Sequence, residues 1–152
     1  MSGMRRIRDL GEADLRWMAD REVEIFGADA WSRAMIDEDY RSGFRRYRGV
    51  EEDGTLVGYS VYGFDGDSFH LFNLAVVPGA RGRGHARALV EEFLSEARRC
   101  GAGDVSLEVA VTNDAAIGLY RSLGFAVVRV RPKYYQPQNV DGYVMGMPIG
   151  GH

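Results

Sequence analysis

The chain has 152 residues, 45% of them hydrophobic and 27% charged, with a net charge of −3 and arginine as 18 of its 19 basic residues. This composition predicts one soluble domain, residues 1–152, able to bury a core without staples, and it argues against a nucleic-acid partner, for which a basic surface is expected. No apolar run of about 18 residues and no charged-then-apolar leader occurs, so no membrane partner is predicted and the cytoplasm is the expected location. One cysteine cannot form an internal disulfide, and three scattered histidines predict no metal site.

Met4 to Leu10 alternates weakly and predicts a short first strand. Gly11-Glu12-Ala13-Asp14 opens a helix whose apolar stripe is Leu15, Met18, Val23, Ile25 and Phe26. Ala30-Trp31-Ser32 interrupts it, and Ser32 is the expected N-cap of a second helix ending near Gly43. From Gly11 to Arg41 nine acids face four arginines, which reads either as a solvated helical face or as a surface turned toward a cationic substrate. Arg45 to Glu52 and Leu56 to Phe64 are β-rich and joined by Asp53-Gly54, a hairpin signal.

A second turn at Asp65-Gly66-Asp67 leads to the stretch around which the chain is organised. His70 to Val77 is a strand closed by Pro78-Gly79, and Ala86, Leu89, Val90, Phe93, Leu94 and Ala97 then recur at helical spacing. Between them lies Arg81-Gly82-Arg83-Gly84-His85-Ala86. The first N–H groups of a helix have no internal partner and the macrodipole is positive there, so small residues that let an anion approach the backbone make a phosphate site. No Gly-Lys-Ser/Thr follows and no G-x-G-x-x-G occurs, so this is neither a nucleotide P-loop nor a dinucleotide fingerprint. A pyrophosphate cradle of another kind remains, beside the plainer reading of a solubilised Gly-rich turn.

Cys100 ends this amphipathic helix and is expected to pack. After Gly101-Ala102-Gly103, Val105 to Val111 alternates with period two: Val105, Leu107, Val109 and Val111 share one face, Ser106, Glu108 and Ala110 the other. Thr112-Asn113-Asp114 caps a last helix carrying Tyr120 and closed by Gly124. Gly118 inside it costs about 1 kcal/mol relative to alanine, which calls for a packing or ligand reason. Phe125 to Arg131 and Gly142 to Met147 read as a closing strand pair, with Pro132 to Val140 a loop that holds Tyr134 and Tyr135.

A pyrophosphate cradle, a carboxylate at Glu108 in an otherwise apolar strand, and Tyr120 beyond a capping Asn113 together suit acyl transfer from a thioester to an amine. An α-amine of pKa about 7.7–8.0 is mostly protonated near neutrality and needs a base, which Glu108 supplies directly or through water. A departing thiolate of pKa about 8.5 needs a proton, and a phenol of pKa about 10 can give it. Read singly, Glu108 fits equally well an ion pair with an arginine on a neighbouring strand, and Tyr120 a core aromatic.

The motifs Ala30-Trp31-Ser32, Phe72 to Val76, Arg81 to Ala86, Leu107-Glu108-Val109, Asn113 to Tyr120, Leu123-Gly124-Phe125, Tyr134-Tyr135 and Met145-Gly146-Met147 resemble the GNAT N-acetyltransferase superfamily over nearly the whole chain. More narrowly they look like its RimI type, which acetylates the N-terminal alanine of a small-subunit ribosomal protein. The resemblance implies an α/β fold of the α+β mixed kind: a central, mostly antiparallel sheet of about seven strands flanked by about four helices. It implies acetyl-CoA as co-substrate and a protein N-terminus as acceptor. By the same resemblance Glu108 and Tyr120 are base and acid. Leu74, Ala75 and Val76 offer backbone hydrogen bonds to the pantetheine arm; Arg81, Gly82, Arg83, Gly84, His85, Ala86 and Arg87 hold the pyrophosphate; and Asn113 contacts CoA. Trp31, Tyr134 and Tyr135 border the acceptor peptide. His85 stands where an apolar residue is usual, and Ala110 and Thr112 replace an arginine and a serine often found after the carboxylate. Two other activities fit the motifs less well: a small-amine or polyamine acetyltransferase, and a non-catalytic acetyl-CoA-binding module, which needs the cradle but neither Glu108 nor Tyr120.

Overall fold

The computed structural model describes residues 4–135 and 139–150. Seven strands form one sheet: β1 (Arg5–Asp9), β2 (Arg46–Glu52), β3 (Thr55–Asp65), β4 (Ser68–Val76), β5 (Asp104–Ala110), β6 (Ala126–Tyr135) and β7 (Val140–Pro148), in the spatial order β1-β2-β3-β4-β5-β7-β6. The helices are α1 (Leu15–Phe26), α2 (Arg33–Ser42), α3 (His85–Arg99) and α4 (Asp114–Ser122). All strand pairs are antiparallel except β4 with β5, whose connection passes through α3. A crossover of that length is what lets successive strands run parallel. The mixed sheet with flanking helices is the architecture that the motifs imply.

Each helix is laid on the sheet by its apolar stripe. α3 buries Val90, Phe93, Leu94 and Ala97, which pack with Tyr120 of α4 and with Val105, Leu107 and Val109 of β5, and Leu89, which packs with Val50, Val57 and Val76. On the opposite face Leu15 and Met18 of α1 and Ile36 of α2 cover Tyr47, Tyr59, Val61 and Ala75. The caps form as the sequence predicts: Ser32 Oγ accepts from Met35 N at 3.1 Å and Asn113 Oδ1 from Ala116 N at 3.2 Å. Among the described residues no helix is long and apolar enough to cross a membrane.

Three expectations are corrected and a fourth, for Gly118, loses one of its two alternatives. Val23 is 65% exposed, and Glu22 is buried in its place, 1% exposed. Leu15, Met18 and Glu22 lie at i, i+3 and i+7, one helical face, and Glu22 is tolerated there because three donors satisfy it. Pro132 to Tyr135 are strand, not loop: Tyr135 pairs with Val140, and the irregular pairing between Arg131 and Tyr135 absorbs the proline. Residues 136–138 of the expected loop lie outside the described residues. Cys100 is exposed, because α3 ends at Arg99, the chain turns at Gly101, and Ala102 takes the buried place. Gly118 is exposed, and an added Cβ would meet nothing within 4 Å, so packing does not explain it.

Candidate active site

β4 and β5 are paired only where Phe69, His70 and Leu71 face Val105, Ser106 and Leu107; beyond this both strands run on, to Val76 and Ala110, without joining. The cause lies in β4. Tyr62 pairs with Leu71 and Val61 with Asn73, leaving Phe72 as an extra, bulged residue, and a bulge bends its strand and ends regular pairing. The two strands therefore diverge around a cleft of about 1050 Å³ that continues under the start of α3 and past the start of α4.

One end of the cleft is the Arg/Gly turn. Gly82 and Gly84 have φ of +80° and +85°, a conformation that side chains rarely adopt, and a Cβ on Gly82 would meet nothing within 4 Å. The first intrahelical bond of α3 runs from Ala88 N to Gly84 O. Among the described residues, the N–H groups of Gly82 to Arg87 make no hydrogen bond, so a row of donors at a helix N-terminus meets the cleft at Gly82, Gly84, His85, Ala86 and Arg87. Such a cradle fits a pyrophosphate. Arg81 also lines the cleft, its Nε donating to Val76 O at 3.0 Å, and Arg87 Nη2 donates to Ser122 Oγ at 2.7 Å. The side chains of Arg83 and His85 turn elsewhere: Arg83 pairs with Glu52 at 2.5 Å, and the His85 ring is buried beneath the turn. From Phe72 onward β4 has no strand partner on its β5 side, which leaves the backbone edge of Leu74, Ala75 and Val76 open to the cleft. Asn113 lines the cleft while its Oδ1 caps α4.

Glu108 stands where the strands part. Its Oε2 accepts from Arg131 Nη1, its Oε1 accepts from the Tyr134 hydroxyl at 3.2 Å, and His70 Nε2 lies 3.6 Å from Oε1. His70 in turn shares a 2.7 Å hydrogen bond, through Nδ1, with Ser106 Oγ. Burial, opposed by the Glu108 charge, lowers the His70 pKa below its ordinary value, which favours the neutral ring. Glu108 thus has an arginine partner, though from β6 rather than from a strand next to β5, and it also lines the cleft. Tyr120 lines the same cleft at 6% exposure, its ring 5.8 Å from that of Phe125. Burial raises its hydroxyl pKa, so the phenol stays protonated through the neutral range.

The far end is walled by Trp31, from the segment between α1 and α2, and by Tyr135 at the end of β6. Tyr134 stacks edge-on against Tyr135 at 4.9 Å, carries the Arg131 guanidinium 4.1 Å from its ring centre, and contacts Glu108. Glu22 lines the cleft too, accepting from Trp31 N at 2.8 Å, Tyr59 Oη at 2.6 Å and Asn73 Nδ2 at 2.9 Å. This buried carboxylate ties the Trp31 segment to β3 and β4. Glu22, His70 and Arg131 are the site residues that the sequence reading missed; only Glu22 left a signal, its spacing from Leu15 and Met18. Among the described residues no group of three or more His, Cys, Asp or Glu side chains could hold a metal ion.

The chain matches the Acetyltransferase (GNAT) family over residues 12–125. It belongs to that family. This GNAT protein is an acetyl-CoA-dependent acetyltransferase, and its relatives point to one branch. N-alpha-acetyltransferase RimI of Mycobacterium tuberculosis is 38% identical over 146 residues, which cover 93% of this chain and 90% of the relative. The crystal structure of the ribosomal-protein-S18-alanine N-acetyltransferase from Escherichia coli superposes with a TM-score of 0.85 at 29% identity, over 98% of this chain and 96% of that one. The structure of yncA from Salmonella typhimurium, with its cofactor acetyl-CoA, gives a TM-score of 0.78 at 26% identity, covering 98% and 96% of the two chains.

Proposed function

We propose that this GNAT domain, acting in the cytoplasm, acetylates the N-terminal α-amine of a protein, with the N-terminal alanine of a small-subunit ribosomal protein as acceptor. The observation that carries the reading is Glu108 at the divergence of β4 and β5, between the cradle on one side and the Trp31 and Tyr135 wall on the other. A base at that point serves an amine that arrives from the aromatic end while the acyl donor lies along the strand edge.

Bound acetyl-CoA supplies the acyl group as a thioester. The free N–H groups from Gly82 to Arg87 hold its pyrophosphate, with Arg81 and Arg87 adding positive charge, and the Asn113 amide reaches CoA beyond its capping role. The open edge of Leu74, Ala75 and Val76 bonds the pantetheine arm; because Val76 O is engaged by Arg81, its neighbours carry more of that contact. Glu108 takes the proton of the α-ammonium, freeing the nitrogen lone pair for the carbonyl carbon. The new N–C bond replaces the C–S bond; Tyr120 gives its hydroxyl proton to the departing sulfur, and the second proton shed by the nitrogen as it becomes the amide restores the phenol through water. Trp31, Tyr134 and Tyr135 border the acceptor, and the Tyr134 hydroxyl orients Glu108.

The test is thiol release from acetyl-CoA with three acceptor classes: peptides beginning with a free alanine, N-terminally blocked peptides containing lysine, and spermidine. Turnover confined to the free N-terminus is expected. Efficient turnover of spermidine or of the blocked peptide would overturn the reading in favour of a side-chain or small-amine enzyme.

A further inference from the structure

We infer that Arg5, on the edge strand β1, is a positioning residue for the pyrophosphate cradle, and through it for affinity toward the acyl donor. The inference rests on the cradle reading above. One guanidinium brackets Gly84 from both sides: Arg5 Nη2 donates to Arg83 O at 2.7 Å and Arg5 Nε donates to His85 Nδ1 at 3.1 Å, across 78 and 80 residues of sequence. The first bond sets the orientation of a peptide plane. In a trans peptide the carbonyl and the following N–H point in opposite directions, so holding Arg83 O toward Arg5 turns the Gly84 N–H away from it. Gly84 lines the cleft and Arg83 does not. Arg5 therefore stands behind the turn and aims a donor into the cleft.

The second bond fixes the start of α3. By accepting from Arg5, His85 Nδ1 is held as the unprotonated nitrogen, leaving the hydrogen on Nε2. Nε2 is buried without a hydrogen-bond partner among the described residues, 3.7 Å from Glu52 Oε1. Glu52 meanwhile holds Arg83 outward. The turn is thus braced from outside by Arg5 and Glu52, which themselves lie outside the cleft lining. A glycine at φ +85° has wide conformational freedom when unbraced, and donors that must be ordered on binding cost affinity. Bracing them in advance removes that cost for a ligand bearing a pyrophosphate and for no other.

The test compares acetyl-CoA with S-acetyl-pantetheine, which carries the same thioester but no pyrophosphate. In the wild type, acetyl-CoA should have the much higher kcat/KM; parity between the two donors would remove the cradle reading itself. Arg5→Met should raise KM for acetyl-CoA about tenfold, the scale of losing a charge-assisted hydrogen bond, with kcat nearly unchanged and kcat/KM for S-acetyl-pantetheine unaltered. Arg5→Lys, which lacks the fork needed to serve both acceptors, should show a smaller loss in the same direction and decides the matter if the methionine variant does not fold. An unchanged preference for acetyl-CoA, or an equal loss with both donors, would overturn the role of Arg5 while leaving the cradle intact.

Discussion

Arg131 donates to Glu108 from β6, reaching past the intervening strand β7. The pair fixes the Glu108 side chain at the strand divergence, where the proposed base must stand when the amine arrives. Glu108→Gln should lower kcat by about 10²–10⁴ fold with acetyl-CoA affinity nearly intact. An α-amine sheds its own proton above a pKa of about 8, so the deficit should shrink as pH rises. A pH–rate profile decides: a deficit undiminished at high pH would assign Glu108 to positioning rather than proton removal.

Tyr120→Phe should leave the fold and acetyl-CoA binding in place and reduce kcat, because it deletes only the proton donor. The hydroxyl pKa is raised by burial, so ionisation of Tyr120 should not limit the rate at neutral pH. Kinetics paired with thermal melting separate this from a loss of stability. Wild-type kcat in the variant would return Tyr120 to the core.

Gly84→Asp should abolish acetyl-CoA binding while the protein remains folded. It puts a side chain at φ +85°, where a Cβ would come within 3.2 Å of Arg5 Nη2, so the turn must shift and its ordered donors are lost, and it adds negative charge to an anion site. Calorimetric titration with acetyl-CoA measures it, and an unchanged dissociation constant in a folded variant would disprove the cradle.

Gly118→Ala should stabilise the protein by up to about 1 kcal/mol, since the position is helical and exposed and a Cβ there touches nothing within 4 Å. Denaturant unfolding without ligand gives the number. If acetyl-CoA affinity falls at the same time, the glycine is kept for close approach of the ligand.

What was legible in the sequence is what local physics decides. The Asp53-Gly54 hairpin, the Ser32 and Asn113 caps, the alternation of β5 and the turn into α3 each depend on a few neighbouring residues, and each is where it was expected. The parts that were not legible depend on partners far along the chain. A buried Glu22 looks unlikely to a hydropathy pattern until Asn73, 51 residues on, and Tyr59 supply donors. The His85 side chain has no evident place until Arg5, 80 residues earlier, bonds to its ring, while its backbone stays in the turn. Pro132 suggests a loop because a proline cannot donate to a ladder, yet β6 is an edge strand, where that loss is tolerated.

The structure also narrows the acidic surface to one residue. Of the nine acids between Gly11 and Arg41, Asp14, Glu24, Asp37 and Asp39 are ion-paired with Arg8, Arg21, Arg33 and Arg45, and Glu22 is buried among neutral donors. Asp29 alone among the rest lines the cleft, as do Trp31 and Tyr135. A basic peptide entering there meets an exposed carboxylate whose attraction is screened by salt over a Debye length of about 8–10 Å. Peptides that begin with alanine followed by basic residues should therefore show KM rising with ionic strength while kcat stays nearly constant. Asp29→Asn should raise KM at low salt and flatten the salt dependence, leaving KM for acetyl-CoA and kcat unchanged. An Asp29→Asn variant with wild-type salt dependence would mean that the acidic face between α1 and α2 is only a solvated surface, and that the acceptor is held by Trp31, Tyr134 and Tyr135 without help from charge.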